Sequence, residues 1–435
     1  MTEEAAATPE SITTPGFEGG EDEQAEVGEE APVSPLLTLR DGLTAVVDTD
    51  AGLREAAAAL AAGTGPVGVD AERASGYRYS NRAYLVQLRR EGSGTWLIDP
   101  IGLSTLDPLI EALDGVDWIL HAATQDLPCL AEIGLRPTAG LFDTELAGRL
   151  LGYPRVGLAT LVETVLGFHM KKEHSAADWS TRPLPAAWLE YAALDVEVLV
   201  ELRDALMLEL AETGKAEWAR QEFEAERSFE LVPRTDAWRR TSGMHRIRSR
   251  RELGVIKALW EARDEIAQQR DVTPGRIIPD AAIVVAAAAM PTDRAALLGL
   301  KGFHGRGAER YSSRWIAAIK EVLALEESEL PPRNPKSEGG PPPPRAWADK
   351  DPVAARRLTL ARESITALAE ERKVPLENLL TPDYLRRAMW TPPGTRDPGA
   401  LLDEVATQLS GYGARGWQIA LTAPLLVDAI LGAEA

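Results

Sequence analysis

The sequence predicts an α/β domain, a mixed sheet flanked by helices, followed by two all-α modules, and three observations carry that prediction. Short apolar runs come first, helical spacing dominates from Thr124 onward, and two helical stretches in the second half echo one another.

The first strand is Val67-Gly68-Val69, ending in Asp70. A second is Ala83-Tyr84-Leu85-Val86-Gln87-Leu88, and a third is Thr95-Trp96-Leu97-Ile98 before the Asp99-Pro100 turn. Leu106 to Leu113 has helical periodicity, and Trp118-Ile119-Leu120 is a fourth strand. A meander followed by a further strand and helices predicts a mixed sheet covered by helices.

The pattern breaks between Phe229 and Asp236, and a basic string follows: Arg239, Arg240, His245, Arg246, Arg248, Arg250 and Arg251. A helical module runs from there to about Leu325. Glu329 to Pro344 is rich in proline and glycine and cannot sustain a helix, so it reads as a linker. A last helical module follows. The two modules repeat each other about a hundred residues apart. Ala267-Gln268-Gln269-Arg270-Asp271-Val272 is echoed by Ala369-Glu370-Glu371-Arg372-Lys373-Val374, and Gly302-Phe303-His304-Gly305-Arg306-Gly307 by Gly411-Tyr412-Gly413-Ala414-Arg415-Gly416. The predicted organisation is an acidic, disordered tail over 1–39, the α/β domain over 40–235, a helical domain over 236–327, a linker over 328–344 and a second helical domain over 345–435.

With 435 residues and 45% hydrophobic composition the chain can build several cores. Its one cysteine, Cys129, excludes an intrachain disulfide, and no run approaches the roughly 18 apolar residues of a membrane span. Glu3 and Glu4 stand where a secretory leader carries bases, which predicts a cytoplasmic protein without membrane contact. The net charge of −20 disfavours a nucleic-acid partner, but half of it lies in residues 1–39, which hold ten acids and no base. A polyanion would have to be met by local basic patches or by bound cations.

Function is carried by five residues in three segments. Asp70 and Glu72 are two apart on a strand and share a face; Asp126 follows a strand where the chain turns into a helix; Tyr191 and Asp195 are i and i+4 on one helical face. Four carboxylates meeting in a cleft take up protons unless hard cations neutralise them. The expected cofactors are two divalent ions, Mg²⁺ or Mn²⁺, which activate water and support the leaving oxygen of an in-line displacement at phosphorus. The phenol of Tyr191, with an ordinary pKa near 10, is suited to orienting water rather than deprotonating it.

These residues carry a family resemblance. Val69-Asp70-Ala71-Glu72-Arg73, His121 through Leu127, and Asp178-Trp179-Ser180-Thr181-Arg182-Pro183-Leu184 leading to Tyr191 and Asp195 resemble the three motifs of the DEDDy 3′→5′ exonucleases, the last being similar to bacterial ribonuclease D. His245 to Leu325 resembles an HRDC domain, and its echo a second, more divergent one. The resemblance implies a ribonuclease H-like fold and a metal-dependent exoribonuclease acting on the 3′ tails of structured RNA such as tRNA precursors. It further implies that Asp70, Glu72 and Asp195 share one metal, with Asp70 and Asp126 serving the other through water. Ala71, Trp188 and Glu197 depart from the family pattern, and these departures are expected to bear on substrate contacts.

Arg182, always charged and fork-shaped, is a candidate for a phosphate contact, as are His121 and His174. Arg246 and Arg250 in the basic string, and Lys301 and Arg306 around the glycine-rich turn, are candidates for holding RNA backbone, while Phe303 is expected in a core. Two alternatives stay open at this point: a DNA exonuclease of repair, since no motif reads a 2′-hydroxyl, and an inactive RNA-binding adaptor.

Overall fold

Six strands make one sheet in the order β1-β4-β3-β2-β5-β6 in the computed structural model of the chain, which describes residues 34–171, 177–231, 235–334 and 340–434. The strands are β1 (Val46–Val47), β2 (Thr64–Arg73), β3 (Ala83–Glu91), β4 (Gly94–Ile98), β5 (Trp118–Leu120) and β6 (Leu141–Asp143). β2, β3 and β4 form the expected antiparallel meander, while β1 on β4, β5 on β2 and β6 on β5 are parallel, so the sheet is mixed. β1 and β6 go beyond the sequence reading. Each is only two or three residues long and lies at an edge of the sheet.

Alternation along β2 divides the domain. Val67, Val69 and Ala71 join the core on one face, under α1 (Asp50–Ala62), α2 (Asp107–Leu113) and α3 (Leu127–Glu132). Gly68, Asp70 and Glu72 face the other way, toward α6 (Ala186–Glu197) and α7 (Leu199–Glu212). The glycine allows a close approach there: a Cβ at position 68 would lie 3.2 Å from the Leu199 Cβ and 3.5 Å from the Val196 carbonyl oxygen. The α6–α7 junction therefore reaches the strand backbone. Between the strands and α6 run α4 (Thr144–Leu151) and α5 (Leu158–Leu161), and α8 (Ala216–Arg227) closes the domain.

The first helical module comprises α9 (Arg250–Arg270), α10 (Asp280–Ala289), α11 (Arg294–Leu298), α12 (Arg306–Arg310) and α13 (Ser312–Ala324) around a core of its own that contains Phe303 and Trp315. The second comprises α14 (Trp347–Lys350), α15 (Pro352–Arg372), α16 (Leu376–Leu379), α17 (Pro382–Trp390), α18 (Pro398–Tyr412) and α19 (Gly416–Glu434). The sequence echo has a structural counterpart. α9 and α15 are both 21 residues long, and each ends in a left-handed residue, Asp271 (φ 46°) and Lys373 (φ 51°). α19 is long and apolar enough to cross a membrane, but half of its apolar window is buried inside the protein, as in a core helix.

Two expected boundaries are corrected. Leu36 already bridges to His169, so ordered chain begins before residue 40; residues 1–33 of the acidic tail lie outside the described residues. In the expected linker, Leu330 is buried in the first module's core and Pro342 accepts a hydrogen bond from the Trp347 indole at 2.8 Å. Residues 335–339 are outside the described chain.

Candidate active site

A cleft of about 550 Å³ lies where β2, the β5–α3 turn and α6 converge, lined by Asp70, Glu72, Arg73, His121, Asp126, Tyr191 and Asp195 among others. Oxygens of Asp70, Glu72 and Asp195 all lie within 4.8 Å of one another. Asp126 joins them through a hydrogen bond shared with Asp70, and the Tyr191 hydroxyl donates to Asp195 one helical turn away. All five residues expected from spacing are therefore brought to one place.

Electrostatics shows what the cluster is suited to hold. Burial, joined for the other three by mutual repulsion, raises all four carboxyls: Asp70 to about 6, Glu72 to about 10, Asp126 and Asp195 well above their ordinary values. The Tyr191 phenol is likewise pushed up by burial and by Asp195. In this form the cluster holds protons at neutral pH. An all-oxygen set of closely spaced, desolvated carboxyls fits a hard divalent cation, whose binding displaces those protons.

The turn that presents Asp126 is set by a residue the sequence reading missed. Asp143, 1% exposed at the end of β6, accepts from the amides of Ala122 (3.0 Å), Ala123 (2.6 Å), Glu145 (2.7 Å) and Leu146 (3.1 Å). It thereby caps α4 and holds Ala122 in a left-handed conformation (φ 59°). Glu226 hydrogen-bonds to Asp143 from α8, with its carboxyl pushed up to about 10 by burial and by that aspartate, so it stays protonated beside it. The Asp-Thr-Glu string opening an apolar helical pattern was the available signal for the cap. Asp126 itself sits at the N-cap of α3 but makes no capping bond, which leaves its carboxyl to Asp70.

Other expected contacts are relocated or corrected. Arg182 has no donor left for a phosphate: its Nε and one Nη bind Asp99 at 2.5 and 2.8 Å, and its remaining N–H groups reach the carbonyls of Tyr84, Trp179 and Thr181. It clamps the α6 approach loop to the sheet. Arg250 turns its Nε and one Nη to the carbonyls of Pro331 and Leu330 on the first module, outside the cleft. His121 lines the cleft, but burial lowers its imidazole to about 4 and Nδ1 lies 2.9 Å from the Thr144 hydroxyl, so it offers a neutral hydrogen bond and no charge. Arg246, Lys301 and Arg306 are exposed on the first module, outside the cleft. His174 lies outside the described residues. Glu197 is not a substrate contact: it is 1% exposed and held by Arg40 and Arg89 at 3.3 and 3.4 Å. Trp188 packs on Trp179 with ring centroids 5.4 Å apart.

Comparison with known proteins agrees with this geometry. A family model described as 3′-5′ exonuclease matches residues 44–211, an HRDC domain model matches 252–319, and a model described as 3′ to 5′ exonuclease C-terminal domain matches 340–430. The ribonuclease D of Granulibacter bethesdensis is 32% identical over 289 residues, covering 62% of this chain and 70% of its own. A crystal structure of a protein from Bifidobacterium adolescentis superposes with a TM-score of 0.81 at 37% identity, covering 91% of this chain and 99% of that one. Escherichia coli RNase D, described as an exoribonuclease involved in structured RNA processing, shares the fold with a TM-score of 0.63 at 24% identity, over 85% of this chain and 99% of its own.

Proposed function

Because this chain belongs to the ribonuclease D family, we propose that it is a metal-dependent exoribonuclease that removes nucleotides from RNA 3′ ends, with the trailing ends of tRNA precursors and other structured RNAs as substrates in the cytoplasm. The observation that carries the reading is the gathering of Asp70, Glu72 and Asp195 oxygens within 4.8 Å.

In this reading Asp70, Glu72 and Asp195 hold one divalent cation, and Asp70 with Asp126 serves a second. When bound, Mg²⁺ or Mn²⁺ supplies Lewis-acid activation of water and charge compensation at the leaving 3′ oxygen. The remaining steps belong to the chain. The carboxyls give up their protons as cations enter, and Asp143 keeps the Asp126 turn in place. Tyr191, held above its ordinary pKa, stays a phenol at neutral pH. Its oxygen accepts a hydrogen bond from the attacking water and fixes the line of attack. His121 contributes a neutral hydrogen bond at the cleft wall, and Arg246, Lys301 and Arg306 on the first module attract RNA backbone outside it.

The test is an assay of the purified chain on a 5′-labelled, 3′-extended tRNA and on matched RNA and DNA oligonucleotides, with EDTA and metal add-back. Mononucleotide release from the 3′ end, abolished by EDTA and by Asp70→Asn or Asp126→Asn with RNA binding retained, is the expected result. Hydrolysis surviving in either variant would remove the metal assignment. A preference for DNA, or no release with either metal, would replace the RNA substrate or the activity itself.

A further inference from the structure

We propose that Arg73 is a substrate contact in the cleft, its guanidinium gripping the non-bridging oxygens of the terminal phosphodiester; this rests on the exoribonuclease reading and adds a residue to it. Simple strand alternation would turn Arg73 away from Asp70 and Glu72. The ladder slips there: Glu72 pairs with Leu85 but Arg73 pairs with Ala83, so Tyr84 is an extra residue on β3. The ladder is locally disrupted at that step, so strict alternation no longer governs the end of β2, and Arg73 lines the same cleft as the carboxyls.

Two further facts give this placement a use. Arg73 is half-buried and close enough to draw down the carboxyls of Asp70, Glu72 and Asp126, yet it makes no hydrogen bond or close ion pair with any described residue. It is also the one lysine or arginine among the described residues that line the cleft. Among the described residues, Arg182 is committed to five acceptors, and Arg78 places its Nε on the Ser180 hydroxyl at 2.8 Å; neither lines the cleft. Once divalent ions neutralise the carboxylates, the charge of Arg73 is left uncompensated in a desolvated site. A planar fork with unspent donors is the group that matches a phosphate bidentately.

The rival role, a counter-ion that keeps the carboxyls apart, predicts different measurements. For Arg73→Ala, Arg73→Gln and Arg73→Lys in the full chain, we would measure Mn²⁺ affinity by titration calorimetry and steady-state hydrolysis of a dinucleotide and of a longer RNA at several salt concentrations. If Arg73 grips phosphate, kcat/KM falls about ten- to a hundredfold in Ala and Gln on both substrates, with partial recovery in Lys. The slope of log affinity against log salt falls by about 0.7, the loss of one phosphate contact on a single strand. Mn²⁺ affinity stays unchanged or tightens as a repelling charge is removed. Hydrolysis within about twofold of wild type overturns the inference, as does a loss of activity that tracks weakened Mn²⁺ binding. A wild-type chain that releases no nucleotide overturns the exoribonuclease reading instead, so the two failures are distinguishable.

Discussion

Asp271 and Lys373 occupy the same place in the two helical modules, the left-handed residue that ends a 21-residue helix, and each touches the exonuclease domain by a different chemistry. At the first module the contact is polar. The Asp271 carboxylate accepts from the amides of Tyr79 (3.1 Å) and Ser80 (2.8 Å) and from the Tyr84 hydroxyl (3.2 Å), and the Tyr79 hydroxyl donates to Asp264 at 2.9 Å. Tyr79 is the one exonuclease residue packed against that module's core among the described residues. At the second module the apolar cores are continuous: Phe142, Leu150, Leu206 and Phe223 belong to the same cluster as Trp347, Leu358, Val405 and Trp417. Lys373 packs closely there instead, its carbonyl receiving the buried Lys215 ammonium and lying 2.5 Å, and its own Cβ 3.0 Å, from where a Cβ on Gly152 would be. One module is docked and the other is fused. The repeat preserved a cap and diverged in what the cap is used for.

The largest effect should come from the fused side. Trp417 stacks on Trp218 at 4.7 Å and its indole N–H donates to the buried Glu222 at 2.9 Å. Trp417→Ala removes both and leaves a cavity, for an expected loss of about 3–5 kcal/mol. Since the core is shared, the exonuclease domain should unfold together with the second module in a single transition at lower temperature. Calorimetry that showed the second module melting alone would break the comparison.

The contrast also explains what the sequence disclosed and what it withheld. Asp70 with Glu72 and Tyr191 with Asp195 were legible because each pair is local, two apart on a strand or four apart on a helix, and local spacing fixes a face, while Asp126 was legible from the turn that follows a strand. The end uses of Arg182 and Glu197 were not, because their partners Asp99, Tyr84, Arg40 and Arg89 are distant in sequence and only the fold brings them near. Asp143 takes its role from the amides of Ala122 and Ala123, about twenty residues back in the chain, and Glu226 gains its role only through Asp143. The fused core was hidden for the same reason: an apolar helix face declares that it is buried but not against what.

A smaller effect is expected from Asp271→Ala. Charge-assisted hydrogen bonds at a partly exposed seam contribute about 1–3 kcal/mol to docking and little to the shared core. The main melting transition should stay near its wild-type temperature, while hydrogen exchange at Tyr79 and Ser80 accelerates. A drop in the main transition as large as that of Trp417→Ala would show that the first module is fused as well.

Acid should separate the seams without mutation. Burial alone would raise Asp271, but hydrogen bonds from Ser80, Tyr84 and Tyr79 outweigh it and hold the carboxyl below its ordinary 3.8. A depressed folded pKa means that the unfolded or undocked state binds more protons; the stabilisation is full above 3.8 and is lost as pH falls through the lower docked value. Glu222 at the other seam is raised by burial, so its contribution is kept in acid and lost as pH rises through its folded value. Exchange followed from pH 5 down to pH 3 should therefore loosen Tyr79 and Ser80 before the amides of α19.

The smallest effect is the one that connects the docked module to the cleft. The Arg276 guanidinium lies 4.4 Å over the Tyr77 ring, two residues along the loop from Ser75, which lines the cleft. The exposed cation–π pair is worth about 0.5–1 kcal/mol, so Arg276→Ala should leave the melting temperature almost unchanged. If RNA reaches the cleft across this seam, the variant raises KM about two- to threefold for an oligonucleotide long enough to span it and leaves a dinucleotide unaffected, because the shorter substrate never leaves the cleft. Equal effects on both lengths would mean that Arg276 acts through the Tyr77 loop on the cleft wall, and the polar seam would then be part of the active site's support rather than its approach.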